Sequence, residues 1–203
     1  MPDKGEEQIH HEFYTNERWN NWIKQVQESG FELTESDESS GKNGDIFVNM
    51  EDDIILACLK VIAKFDRGIL SSETAFEAIA GIRNIVLAKI EPISEDIDLM
   101  IDSLQTSLMG GFAACECYIE GDFEKKPKMK DLIKSAIEAE AADDVQIALG
   151  HVARIGAAVI NGKKLSKKAL ENIPYGFVAE WLDGIESIAA AMVGADSYKK
   201  DDE

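Results

Sequence analysis

Apolar residues in this chain recur at helical spacing, and polar punctuation divides them into segments. Trp19, Trp22, Ile23 and Val26 fall on one stripe, behind a capping Thr15 and ahead of Gly30, which predicts a first helix. Residues 31–44 (FELTESDESSGKNG) show no buried period and read as an acidic loop. Asn49 is expected to open the next helix, with Glu51, Asp52 and Asp53 in its first turn, favoured by the positive end of the helix dipole. Its body, Ile54 to Phe65, is apolar on most faces and should be central to the core. Gly68 stops it; Ser71 or Ser72 starts another that runs to about Ala88, before Pro92. Ser94, followed by Glu95 and Asp96, begins a helix carrying Ile97, Met100, Ile101, Leu104 and Leu108. Gly110-Gly111 predicts a kink or break there, or else the close approach of a neighbouring backbone.

Beyond Gly121 and Pro127, two helices are expected over about 128–140 and 143–160. Their small residues, among them Ala136, Ala148, Gly150, Ala153, Gly156 and Ala157, imply close helix–helix approach. Gly162 and Ser166 bracket a short helix, and Pro174 suits the first turn of a last one bearing Phe177, Val178, Trp181, Leu182, Ile185 and Ile188. No stretch alternates with period two for long. The expected fold is therefore an all-α bundle of about seven helices joined as αα-hairpins. Residues 13–195 form its domain, with 13–90 and 94–195 as candidate lobes; 1–12 and 196–203 read as flexible tails.

Charge adds a second layer. The 203 residues carry a formal charge of −18, unevenly spread. Residues 1–124 hold 26 acids and 9 bases, residues 125–168 hold 5 acids and 10 bases, and residues 169–203 hold 8 acids and 2 bases. An acidic body with one lysine band follows, built on Lys125, Lys126, Lys128, Lys130, Lys163, Lys164, Lys167 and Lys168. Such a band is a candidate anion patch. Nucleic acid is not the expected partner, because the acidic body opposes it and the band has few arginines and no aromatic platform. No apolar run approaches a membrane span, and the first residues lack the apolar segment of a secretory signal. Three cysteines, Cys58, Cys115 and Cys117, are too few for a disulfide framework, so a reducing cytoplasm is the expected setting.

Candidate chemistry is sparse. His10 and His11, with Glu6, Glu7 and Glu12 nearby, offer metal ligands, but a di-iron bundle needs a second Glu-x-x-His and none occurs. His151 reads as a core or interface histidine. Cys115 and Cys117 point about 160° apart on a helix and cannot share a zinc ion there. No phosphate-cradling or dinucleotide motif is present, so no cofactor and no catalytic residue is assigned. The aromatic set Phe13, Tyr14, Trp19 and Trp22 is read either as core or as the docking face of a terminal helix, since aromatic residues are enriched at interfaces.

The segment Phe13-Tyr14-Thr15-x-Glu17-Arg18-Trp19-x-x-Trp22, followed by Asn49-Met50-x-Asp52-Asp53-Ile54 and Ala57-Cys58-Leu59-Lys60, resembles an archaeal family catalogued as a domain of unknown function, found in methanogens and their relatives. The resemblance spans roughly residues 12–195. It implies an archaeal cytoplasmic setting and carries over no catalytic residue. These observations lead to a non-enzymatic interaction or regulatory protein with an unidentified protein partner, expected as a homodimer. An enzyme or metal-binding protein with an unrecognised site is the first alternative, and anion binding through the lysine band the second.

Overall fold

Ser94 opens the helix around which the others pack: its hydroxyl accepts a hydrogen bond from the Ile97 amide at 3.4 Å. The structure, a computed structural model, describes residues 12–33 and 37–198, without the side chains of 37–43 and 194–198. Eight helices and no strand occur among them: α1 (Asn16–Glu28), α2 (Asp37–Asp66), α3 (Ser72–Val86), α4 (Glu95–Glu120), α5 (Met129–Ala141), α6 (Val145–Ile160), α7 (Lys167–Leu170) and α8 (Phe177–Tyr198). This is the all-α bundle expected.

The local signals act where they were read. Thr15 caps α1 and Ser71 caps α3, each accepting an amide three residues on. Gly121 closes α4 at φ +75°, its N–H donating to the Cys117 and Tyr118 carbonyls. Two expectations fail, and a third is decided between its two outcomes. The helix assigned to Asn49 begins at Asp37, inside the stretch read as a loop. Phe47 is buried edge-on against Phe31, with ring centroids 5.1 Å apart, and Phe47, Met50 and Ile54 continue one buried stripe. Packing thus carries the helix past Asn49, so Glu51, Asp52 and Asp53 lie well inside it and not at its positive end. Pro174 precedes α8 by three residues and is not in its first turn. Gly110-Gly111 neither kinks nor breaks α4, which runs unbroken from Glu95 to Glu120.

The second outcome foreseen for those glycines holds. A Cβ on Gly110 would stand 2.7 Å from the Trp181 carbonyl oxygen of α8. Gly156 of α6 is similarly pressed against Ala114 of α4 and Ile185 of α8, and Gly184 of α8 against the Ser107 carbonyl of α4. Pairings of 110 with 181 and 107 with 184 make α8 antiparallel to α4. α2 runs parallel to α4: Glu51 bonds Ser107 at the middle of both helices, and Asp66 bonds Tyr118 toward their C-terminal ends. One apolar cluster extends from Tyr14 to Ile188, and a small one gathers Cys117, Ala153 and Ala157. α1 lies outside the α4–α6–α8 centre, on α2, and this placement creates the site.

Candidate functional site

Lys60 and Lys64 lie in the last two turns of α2 and Arg67 in the turn just past its end, at spacings of four and three with Ala63 between them. Opposite stand Glu12, Phe13 and Arg18, from the approach to α1 and its first turn. Together these residues line an open cleft of about 590 Å³. The Lys64 ammonium lies 5.2 Å from the centre of the Phe13 ring, a cation–π contact. Lys60 and Arg67 are exposed, and among the described residues neither side chain has an ion-pair partner.

Asp53 sets the far wall. Its carboxylate accepts Arg18 Nε at 2.8 Å and Trp22 Nε1 at 2.8 Å, and Arg18 Nη2 also donates to it. The side chain of Asp53 is only 16% exposed, so these three donors replace water it has lost. The Arg18 guanidinium also lies 5.3 Å over the Tyr14 ring. Burial, then the nearby Asp53 charge, raises the Tyr14 hydroxyl far above its ordinary range. That hydroxyl is buried and has no hydrogen-bond partner among the described residues. α1 is therefore fixed by buried aromatics and one carboxylate, and Arg18 is held facing the basic row of α2.

Four of the nine cations in residues 1–124 line this one cleft with one lining carboxylate, Glu12, and Asp53 behind the lining pairs with one of the four, Arg18. Lysine and arginine side chains are protonated near pH 7 and present only donors. The negative end of the α2 dipole faces the same region, and Lys64 and Arg67 offset it.

The residues singled out from sequence are distributed as follows. Tyr14 and Trp19 are core, 5% and 4% exposed, while Phe13 and Trp22 are half-buried and Phe13 lines the cleft. Lys125, Lys126, Lys128 and Lys130 precede and open α5; Lys163 and Lys164 follow α6, and Lys167 and Lys168 form the first half of α7. All are exposed except the half-buried Lys163. α5 and α6 pack as a hairpin across a three-residue turn, so both groups come to the same end of it. His10 and His11 lie outside the described residues. His151 is half-buried on α6, the helix that Asp144 caps through the Ile147 amide at 3.3 Å. All three cysteines are buried and free; Cys115 faces the main core and Cys117 the small cluster, on opposite sides of α4. Burial pushes the Cys117 thiol up to about 11, as suits a packing residue.

The cleft cations were missed. Their signal was available in the pattern Lys60-x-x-x-Lys64-x-x-Arg67, but it is submerged in the acid excess of the first 124 residues. A second polar cluster, also unforeseen, lies between α2, α4 and α8. Ser107 Oγ donates to Glu51 at 2.7 Å, Ser187 also bonds Glu51, and burial raises both Glu51 and nearby Asp183 above the usual carboxylate range. Among the described residues no group of three or more His, Cys, Asp or Glu side chains is placed to hold a metal ion. Nor is any described helix long and apolar enough to cross a membrane.

No curated protein and no solved structure matches the chain. Residues 12–201, which include both walls of the cleft, match the family described as uncharacterised and conserved in archaea, DUF2150. The chain belongs to this archaeal family.

Proposed function

We propose that this is a non-enzymatic binding protein of the archaeal cytoplasm, which engages an anionic group of its partner in the cleft between α1 and α2. One observation carries the reading: Arg18, Lys60, Lys64 and Arg67 converge on a single cleft in a chain of net charge −18. Permanent cations bind charge without exchanging protons at neutral pH, which suits recognition better than acid–base chemistry. The acidic remainder does not cancel the attraction. At physiological ionic strength charges are screened over about 8 Å, so an anion in the cleft responds mainly to its lining. The acidic field acts at longer range, slowing the approach of anions that lack specific contacts.

The test is retention on a phosphate-bearing cation exchanger at low ionic strength. The wild-type protein should be retained despite its net charge and released as salt rises. Lys60→Glu with Arg67→Glu should flow through, and Lys163→Glu with Lys164→Glu should still be retained. Flow-through of the wild type, or loss of retention only in the Lys163/Lys164 variant, refutes the reading; the latter result would transfer the role to the lysine band. A homodimer is part of the proposal, and sedimentation showing a strict monomer removes that part.

A further inference from the structure

We infer that Cys58 of α2 and Cys115 of α4 form a redox-sensitive pair, which a small peroxide converts into a disulfide tying the two helices together. Both are free and buried, 5% and 1% exposed. The Cys58 thiol hydrogen-bonds Cys115 across the helix interface. Cys117 lies on the other side of α4, where its thiol donates to the Asp122 carbonyl at 3.4 Å. One thiol of α4 therefore meets α2 and the other does not.

Cys58 and Cys115 also line one cavity of about 10 Å³, roughly the space of a single water molecule, whose remaining walls are glycine and hydrophobic side chains, Leu108 and Phe112 among them. This space lets the sulfurs turn and close to the bond length of about 2.05 Å without displacing those walls. It also favours a small neutral oxidant over a bulky one. The hydrogen bond to Cys115, with burial, holds the Cys58 thiol protonated well above its ordinary range, so the pair rests reduced and responds slowly. In the oxidation one sulfur attacks a peroxide oxygen; the O–O bond breaks, and the thiol proton leaves with the departing hydroxide as water. The second sulfur then attacks the sulfenic sulfur; the S–O bond breaks, the S–S bond forms and a second water leaves. Two thiols are oxidised and one peroxide is reduced to two waters. α2 carries Asp53, the anchor of α1, and Lys60 and Lys64 of the cleft wall, so the bond fixes that wall against α4.

The folded protein is treated with hydrogen peroxide, alkylated in denaturant and mapped by mass spectrometry, with oxidation of the exposed Met109 as the sign that the oxidant has acted. The wild type should yield a peptide pair joined through Cys58 and Cys115 and keep Cys117 as its free thiol. Its melting transition should rise by about 5–15 °C, because the bond closes a loop of about 60 residues in the unfolded chain, and should return with dithiothreitol. Cys117→Ser should behave alike, whereas Cys58→Ser and Cys115→Ser should lose the crosslink and the shift. Three free thiols in wild-type protein whose Met109 is oxidised overturn the inference. So does a crosslink through Cys117, or one that forms only in the urea-unfolded chain. A Cys58–Cys115 bond that lowers the melting transition also overturns it, since the helices would then have been forced out of their native contact.

Discussion

The crossing of α4 and α8 allows a sharp test, because one added methyl group should lower stability where helix propensity alone would raise it. In Gly110→Ala the new Cβ would stand 2.7, 2.8 and 2.9 Å from the carbonyl oxygen, Cβ and Cα of Trp181. Non-bonded carbons sit comfortably at about 3.5–4 Å, so α8 must retreat by roughly 0.7 Å or more. Two of the three blocking atoms are backbone, which no rotamer change can move. The retreat would also loosen the neighbouring contact of Gly184 with Ser107. Overpacking of this kind costs about 1–3 kcal/mol, against a propensity gain of about 1 kcal/mol for replacing glycine within a helix. With backbone on both sides of the clash, the upper part of the range applies and the net loss is about 1–2 kcal/mol. For a protein of this size that corresponds to a fall in Tm of roughly 2–8 °C. Gly81→Ala is the matched control: Gly81 is exposed within α3, and a Cβ there meets nothing within 4 Å. It should gain about 0.5–1 kcal/mol and melt slightly higher. Differential scanning calorimetry on both variants decides the matter. A Gly110→Ala protein that melts at or above the wild type would refute the packing argument, as would equal shifts in the two variants.

Three further outcomes are expected. Burial raises Glu51 above its unfolded value, so its ionisation opposes folding once the pH exceeds the raised folded value, and this cost fades as the pH falls toward the ordinary carboxylate range. Glu51→Gln should therefore have a higher urea midpoint than the wild type at pH 7, with the gap narrowing toward pH 4.5; a pH-independent gap would contradict the assignment. Asp53→Ala strands Arg18 and Trp22 Nε1, at a cost of about 1–3 kcal/mol. Release of α1 should shift tryptophan emission to longer wavelength and speed proteolysis ahead of Asn49, and an unchanged spectrum would count against Asp53 as the anchor. Glu140 of α5 accepts the Val178 amide at 3.2 Å and so caps α8 from another helix. Glu140→Ala should cost about 0.5–2 kcal/mol and accelerate hydrogen exchange over the first turn of α8 while sparing α3.

Much of the fold was legible because its determinants are local. A capping hydroxyl needs only the amide three residues on, and a left-handed stop needs only a glycine, so Thr15, Ser71, Ser94 and Gly121 could be read from neighbours in the chain. The small residues of α6 likewise announced close packing, and Gly156 delivers it. The start of α2 could not be read this way. What continues it upstream of Asn49 is the burial of Phe47 against Phe31, a contact between segments that have no sequence periodicity in common. Gly110 admitted two outcomes, and the backbone of Trp181, 71 positions away, selected one. The cleft is the extreme case. The sequence by itself determined an acidic all-helical chain and spaced Lys60, Lys64 and Arg67 four and three residues apart. Only tertiary structure brought Arg18 and Phe13 opposite them, through an Asp53 carboxylate that sequence reading had assigned to the dipole of its own helix. Charge summed along a chain records composition, whereas a binding site depends on distance, and distance is set by which faces are buried against each other.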